Sequence, residues 1–195
     1  PLAGTEGAAK PFWSPDSRRI GFFANGQLMT VDLATETARA VAAADVAVAG
    51  GTWGAHDTIV FAVWASGLYA VPASGDGRIE PIMKLDRSAK DIAFAWPQFL
   101  PDGRRFIYQV VSLETARTGV YIGDLDTRSS TRLLATDSPA IFAAPHHVLH
   151  VANEMLIAEE IDLERLELTG RASVVARGVA APSLRADNLM SGGGG

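Results

Sequence analysis

The sequence of 195 residues contains no cysteine. This absence excludes disulfide bonds, thiol nucleophiles and thiolate metal sites, but it leaves the compartment open because cysteine-free chains occur on both sides of a membrane. No apolar run approaches the roughly 18 residues that a membrane-spanning helix needs, so membrane insertion of this segment is not expected. A positively charged stretch followed by an apolar core, which marks a signal peptide, is also missing at the start.

Basic clusters and catalytic motifs are missing as well. The net charge is −5, and the 17 lysine and arginine residues form no long cluster, so nucleic-acid binding through a basic surface is not expected. The sequence has no Gly-x-Ser-x-Gly nucleophile elbow, no glycine-rich phosphate loop after a strand and no His-Glu-x-x-His. Composition indicates an ordinary globular protein, with 48% hydrophobic and 20% charged residues. The residues themselves point to no catalytic group and no cofactor.

What the sequence does contain is a repeat. Residues 11–23 are PFWSPDSRRIGFF and residues 97–108 are PQFLPDGRRFIY, with degenerate copies in GTWGAHDTIVFA (51–62) and APHHVLHVAN (144–153). Each copy is followed by two further apolar stretches, and the first of them alternates its faces as a half-buried strand does. The signature residues of the repeat are Trp13, Pro15, Asp16, Trp53, Phe99, Pro101, Asp102 and Gly103.

Short strands in groups of three or four, recurring every 40-odd residues, predict an all-β propeller. We expect about four blades of three to four antiparallel strands, at residues 11–42, 50–86, 95–136 and 141–177, within a propeller segment 1–183 that is complete or part of a larger ring. Residues 184–195 end in four glycines and are expected to be a tail or linker. Only residues 159–170 leave a choice, between a short helical turn and a strand followed by a loop.

The Trp-Ser-Pro-Asp-Ser-Arg-Arg pattern followed by Gly-Gln-Leu-Met-Thr-Val-Asp-Leu resembles the WD40-like (TolB-like, PD40-type) β-propeller repeat over about residues 4–180. Among such propellers, those that follow bacterial Ser/Thr protein kinase domains look most similar. The resemblance implies a non-catalytic interaction or sensor module, a fragment of a larger kinase-linked protein, that binds a protein, peptide or glycan. It slightly favours a periplasmic or otherwise extracytoplasmic location.

Two other functions fit the same repeat. The chain could be the accessory propeller that gates substrates for a serine peptidase or hydrolase, or a stand-alone propeller enzyme of the lyase or lactonase type. A kinase domain in the parent protein would favour sensing, whereas a Gly-x-Ser-x-Gly domain would favour gating. A propeller enzyme would need polar residues that converge on the central channel.

Four side chains are weak candidates for a metal site: His146, His150, Glu159 and Glu160. On a strand, His146 and His150 would share one face while His147 lies on the other, so the three histidines cannot easily converge. The acidic run that begins at Glu159 could hold calcium. A turn leading into a strand, and a charged edge strand that prevents aggregation, account for the same residues without a metal.

Two expectations concern packing. The four tryptophans are expected in the core or between blades, and Trp13 and Phe99 are expected to be buried at equivalent positions because both stand two residues before a Pro-Asp turn. Four blades are few for a closed ring, so the terminal blades are expected to leave apolar surface open to water. Self-association through these terminal blades would cover that surface.

Overall fold

The computed structural model describes residues 2–44 and 47–180. These residues form sixteen strands and no helix, arranged in four antiparallel sheets of four strands each. Blade 1 contains β1 (Ala9–Trp13), β2 (Arg19–Ala24), β3 (Gln27–Asp32) and β4 (Thr37–Ala43), and blade 2 contains β5 (Val48–Trp53), β6 (Thr58–Val63), β7 (Gly67–Pro72) and β8 (Glu80–Lys84). Blade 3 contains β9 (Asp91–Phe99), β10 (Arg105–Ser112), β11 (Gly119–Asp124) and β12 (Ser130–Leu134), and blade 4 contains β13 (Ala140–Ala143), β14 (His147–Ala152), β15 (Met155–Asp162) and β16 (Glu167–Arg177).

Every blade is a meander in which each strand pairs with the next along the chain. The blades follow one another around an axis, since β1 lies against β5, β5 against β9, and β10 against β13. This architecture confirms the predicted β-propeller of about four four-stranded blades. None of the described residues belongs to a helix long and apolar enough to cross a membrane.

The apolar faces of the blades pack against each other. Phe23 of blade 1 and Phe61 of blade 2 have ring centroids 6.0 Å apart in a cluster that also buries Trp53. A second cluster joins blades 2 and 3 around Phe106, and a third joins blades 3 and 4 around Val148. We call the face toward the preceding blade the rear flank and the face toward the following blade the forward flank. Because each sheet is apolar on both flanks, contact with a neighbouring blade buries apolar surface and stabilises both blades.

On the rear flank of blade 1, the N-terminal segment packs against part of the apolar surface. Leu2 packs against a small cluster in which Phe22 and Val31 are fully buried. The Thr5 hydroxyl donates a hydrogen bond to the Leu2 carbonyl at 2.7 Å and holds the segment in a turn. The N-terminal segment therefore covers part of β2 and β3 on this flank.

Turn residues connect the strands as their chemistry predicts. Asn25 and Gly26 have φ of 51° and 73°, which is the backbone of the two-residue hairpin that Asn-Gly favours. In the stretch 159–170, β15 ends at Asp162 and a turn leads directly into β16; the strand-and-loop alternative is therefore the one that the chain adopts. The predicted tail, residues 184–195, lies outside the described residues.

Candidate functional site

The first strands of the four blades surround a cavity of about 440 Å³ on the axis of the arc. Each of them contributes to its wall, so the cavity exists only because the four blades face one another. The lining residues are Lys10, Pro11, Gly50, Gly51, Trp96, Pro97, Gln98, Pro139, Ala140 and Ile141. This axial cavity is the candidate binding site.

A β-bulge recurs in three of these strands. The pairing of β1 with β2 shifts register between Ala9 and Phe12, that of β5 with β6 between Val48 and Gly51, and β9 carries the same irregularity opposite β10. Each bulge contains one residue with positive φ: Lys10 (53°), Gly50 (106°) and Trp96 (47°). All three stand three residues before a repeat-signature residue, and all three line the cavity.

The bulges direct side chains toward the axis, whereas a regular strand would place the same side chains elsewhere. Bulges are common beside binding sites because they re-aim a side chain, and a left-handed residue other than glycine costs on the order of 1–3 kcal/mol. Gly50 favours glycine, since its φ of 106° strains any other residue and an added Cβ would lie only 3.3 Å from the Trp96 Cα. The indole of Trp96 therefore lies close over the backbone of blade 2.

The chemistry of the axial cavity is apolar with a single positive charge. Three prolines, Trp96 and Ile141 supply most of the wall. Lys10 is exposed, and its ammonium forms no ion pair or hydrogen bond with any described residue. The described lining has no carboxylate and no imidazole, so it offers no general acid–base pair. The arrangement suits binding of an apolar group that carries a negative charge.

A repeated contact joins the first strands of neighbouring blades around the cavity. The Gln98 side chain brackets the Phe142 backbone: its Oε1 accepts from the Phe142 N–H at 2.7 Å, and its Nε2 donates to the Phe142 carbonyl at 3.1 Å. At the equivalent place in blade 2, the Thr52 hydroxyl accepts from the Phe99 N–H at 3.1 Å. In blade 1 the Phe12 ring lies against Gly51, where an added Cβ would be 2.6 Å from the ring.

Trp53 shows how a rear-flank residue is covered by the preceding blade. Its side chain is 4% exposed, and the Arg19 guanidinium of blade 1 lies 4.4 Å from the centre of its ring. Asp57 accepts a hydrogen bond from the Trp53 indole at 3.3 Å and pairs with Arg19 at 3.2 Å. Phe99 is half-buried in the same way, with its ring against Gly54 of blade 2.

The prediction that Trp13 is buried is wrong. Trp13 is opposite Ile20 in its sheet as Trp53 is opposite Ile59 and Phe99 opposite Phe106, so the three positions are equivalent. Trp13 is nevertheless 58% exposed. The cause is what lies over the side chain rather than the blade that carries it. Arg19 lies over the Trp53 ring, and no described residue lies over Trp13 in the same way. Trp64 and Trp96 are half-buried beside the cluster between blades 2 and 3.

The Pro-Asp turns lie away from the cavity. Asp16 accepts from the Ser14 hydroxyl at 2.6 Å and from the Arg18 N–H at 3.1 Å, and these bonds lower the pKa of its carboxyl. Burial raises the pKa of Asp102, but bonds from the backbone N–H groups of Arg105 and Arg104 and from the Arg105 guanidinium outweigh burial and lower it. Pro15 and Pro101 are exposed, whereas Gly103 is buried beside Ala55 with φ of 66°.

The weak metal candidates do not form a common cluster. His150, which is 5% exposed, pairs with Glu159 at 3.0 Å, whereas Glu160 pairs with Arg171 at 3.5 Å. His146 lies in the turn before β14 and stacks on His147, with ring centroids 5.1 Å apart. In residues 2–44 and 47–180 no group of three or more metal-ligating side chains comes together.

A second cavity, of about 280 Å³, opens between the outer strands of blades 2 and 3. The Arg117 guanidinium binds the buried Asp91 carboxylate through two hydrogen bonds of 3.0 and 2.9 Å, which raise the pKa of Arg117. Burial raises the pKa of Tyr108, whose hydroxyl lies 2.6 Å from that of Ser130. These groups form hydrogen bonds with one another, so they account for the structure of this wall without a ligand.

Sequence reasoning missed the residues that shape the axial cavity. Lys10, Gly50 and Trp96 belong to no recognisable motif, and nothing in a sequence marks a tryptophan for positive φ. Each of them lies three residues before a signature residue. This common spacing gains a meaning only when the strands are aligned by their pairing, which shows that the three residues occupy equivalent positions.

No family model and no curated protein matches this sequence. Solved structures do match. TolB from Acinetobacter baumannii has a TM-score of 0.66 at 16% identity, over 87% of this chain and 43% of TolB. Regucalcin, a calcium-binding protein from Agrobacterium tumefaciens, has a TM-score of 0.65 at 15% identity, over 89% of this chain and 60% of regucalcin.

A chain of a nidogen–laminin complex superposes with a TM-score of 0.67 at 10% identity, over 90% of this chain and 66% of that one. A prolyl endopeptidase superposes with a TM-score of 0.57 at 12% identity, over 91% of this chain and 30% of that one. This chain is thus similar to binding proteins and to enzymes alike, and it spans 43% to 60% of TolB and regucalcin. At these identities the similarity establishes the TolB-like propeller fold and no particular activity.

Proposed function

We propose that this propeller is a non-catalytic interaction module that binds a segment of a protein or peptide in the axial cavity. The observation that carries the proposal is the wall of that cavity, which all four blades build from apolar side chains around Lys10, a lysine with no ion pair to any described residue. Ligand sites are typically concave and mostly apolar with a few polar groups. A volume of about 440 Å³ accommodates a few side chains of an extended segment.

The charge of the cavity favours an acidic ligand. Lys10 is the one charged residue among the described residues of its lining, in a protein of net charge −5. A carboxylate near the Lys10 ammonium would gain a charge-assisted contact, while the Trp96 indole and the three prolines bind apolar side chains next to it. We therefore assign the site to a peptide that carries an acidic residue beside apolar ones.

The test begins with selection of binders from a library of random peptides on the immobilised chain. The affinity of one enriched peptide is then measured by fluorescence anisotropy for the wild type and for Trp96→Asn. Asparagine tolerates positive φ, so this variant removes the indole without forcing the bulge to change. We expect Trp96→Asn and Lys10→Glu each to weaken binding about tenfold or more, which corresponds to 1.4 kcal/mol, and Lys10→Arg to retain most of it.

Leu113→Ala is the matched control, because Leu113 is an exposed apolar residue outside the cavity lining. Its affinity should equal that of the wild type. Peptides that bind Trp96→Asn and Lys10→Glu as tightly as the wild type would refute the axial site. A library that yields no binder at all would refute the peptide-binding function.

The wider setting is part of the proposal and rests on the sequence resemblance alone. It places the propeller in a larger, kinase-linked protein outside the cytoplasm. A kinase domain encoded in the same open reading frame would support the sensor role, whereas a hydrolase domain there would replace it with substrate gating.

A further inference from the structure

In each blade, one position of the first strand faces the following blade. The residues at this position are Phe12, Thr52, Gln98 and Ile141. The first three touch the next blade: Phe12 lies against Gly51, Thr52 accepts from Phe99, and Gln98 brackets Phe142. The fourth, Ile141, has no following blade among the described residues and is 56% exposed.

The complementary position on the rear flank is occupied by Trp13, Trp53, Phe99 and Phe142. The last three are buried or half-buried, and each meets the blade before it. Trp13 is 58% exposed. Among the described residues, Trp13 and Ile141 thus lack the partner that the equivalent positions have at the three junctions within the chain.

Apolar neighbours extend both ends. On the forward flank of blade 4, Ile141 is paired with Leu149, and Val151 is paired with Leu156; these three neighbours are half-buried. On the rear flank of blade 1, Leu2 packs over β2 and β3, and the half-buried Ile20 lies beside Trp13. Each end therefore presents one exposed apolar side chain with half-buried apolar neighbours.

We propose that the forward flank of blade 4 docks onto the rear flank of blade 1 in a second copy of this chain. The occupant follows from continuity with the internal junctions, in which a forward flank always meets a rear flank. Such a contact is heterologous, because the two surfaces differ. It leaves one free flank at each end of the pair, so assembly proceeds stepwise with concentration.

Two single variants and their mixture test the proposal. Trp13→Asp blocks the rear flank and leaves the forward flank intact, whereas Ile141→Asp does the reverse. Both side chains are more than half exposed, so both variants should fold, which circular dichroism verifies. Light scattering coupled to size exclusion then measures mass from low to high micromolar concentration.

We expect the wild-type mass to rise above the 20.6 kDa of one chain as concentration increases. Each variant alone should remain monomeric. An equimolar mixture should form a pair of twice the mass of one chain and nothing larger, because only one intact junction is available. Leu113→Asp, on a residue that is 53% exposed outside both flanks, should assemble like the wild type.

Two outcomes would overturn the proposal. A wild type that remains monomeric at high micromolar concentration would mean that the flanks do not bind a second copy and that another partner or further blades cover them. Self-association of either variant alone would mean that one flank pairs with itself. Ile141 belongs both to this flank and to the cavity wall, so the two proposals are separated by their readouts: mass for self-association and peptide affinity for the axial site.

Discussion

Replacement of Trp53 and Trp13 by alanine separates the contribution of a blade junction from that of a single blade. The two residues have the same type and the same register position, but Trp53 is 4% exposed and Trp13 is 58% exposed. Trp53→Ala removes a buried indole and leaves a cavity between blades 1 and 2. Substitutions of this kind cost about 3–5 kcal/mol. Trp13→Ala removes mostly solvated surface, and such changes typically stay within about 0.5 kcal/mol.

The surroundings of Trp53 place the loss of unfolding free energy for Trp53→Ala toward the upper part of that range. Arg19 loses the aromatic face 4.4 Å away, a contact of about 0.5–1 kcal/mol at exposed sites. Asp57 loses the indole donor at 3.3 Å. Since a domain is stable by only about 5–15 kcal/mol, the variant should lose a large fraction of its stability.

Urea unfolding followed by circular dichroism measures both free energies, because loss of a tryptophan would distort a fluorescence signal. The experiment belongs at low micromolar concentration, where association through Trp13 does not add to stability. Equal slopes against urea concentration are required for the comparison, since they show that the same surface is exposed on unfolding. A cost below about 1 kcal/mol for Trp53→Ala, or a cost for Trp13→Ala as large as for Trp53→Ala, would refute the junction argument.

Two further predictions concern polar groups. Asp102 has a folded-state pKa below its ordinary value of 3.8, so its contribution to stability is complete above pH 3.8 and is lost as pH falls through the lowered pKa. When urea unfolding is repeated from neutral pH down through this range, Asp102→Asn should therefore lose less stability than the wild type. Equal losses in the two proteins would contradict the assignment. Gln98→Leu leaves the Phe142 N–H and carbonyl without their partners and should cost about 1–3 kcal/mol in the same assay, whereas Gln98→Glu, which keeps the acceptor for the N–H, should cost less than Gln98→Leu.

The fold was predictable because its causes are local and repeated. Alternating apolar residues define each strand, and Asn25-Gly26 sets a hairpin whatever surrounds it. Four copies of one pattern reinforce each other, so the degenerate second and fourth blades still form complete sheets. Burial of Trp13 was not predictable in this way, because burial of a rear-flank residue depends on what lies against the blade.

The axial cavity was predictable only in part. Its place at the meeting point of the first strands follows from the propeller architecture, but the bulges that shape it depend on strand pairing. Trp96 adopts positive φ against the preference of its side chain, and the cause is tertiary. The backbone of β9 is held on one side by the close approach of Gly50 and on the other by its pairing with β10.

The bulge position combines a repeated backbone with side chains that differ between blades. The repeat determines the backbone at this position in three blades, yet the side chains there are a lysine, a glycine and a tryptophan. Blade stability depends on the flanks, which are packed residue against residue. Lys10 is exposed and can be replaced at little cost to the blades, whereas Trp96 also packs against the cluster between blades 2 and 3. In the proposed site, the choice of ligand would therefore depend on the side chains in which the blades differ, while stability depends on the repeat that they share.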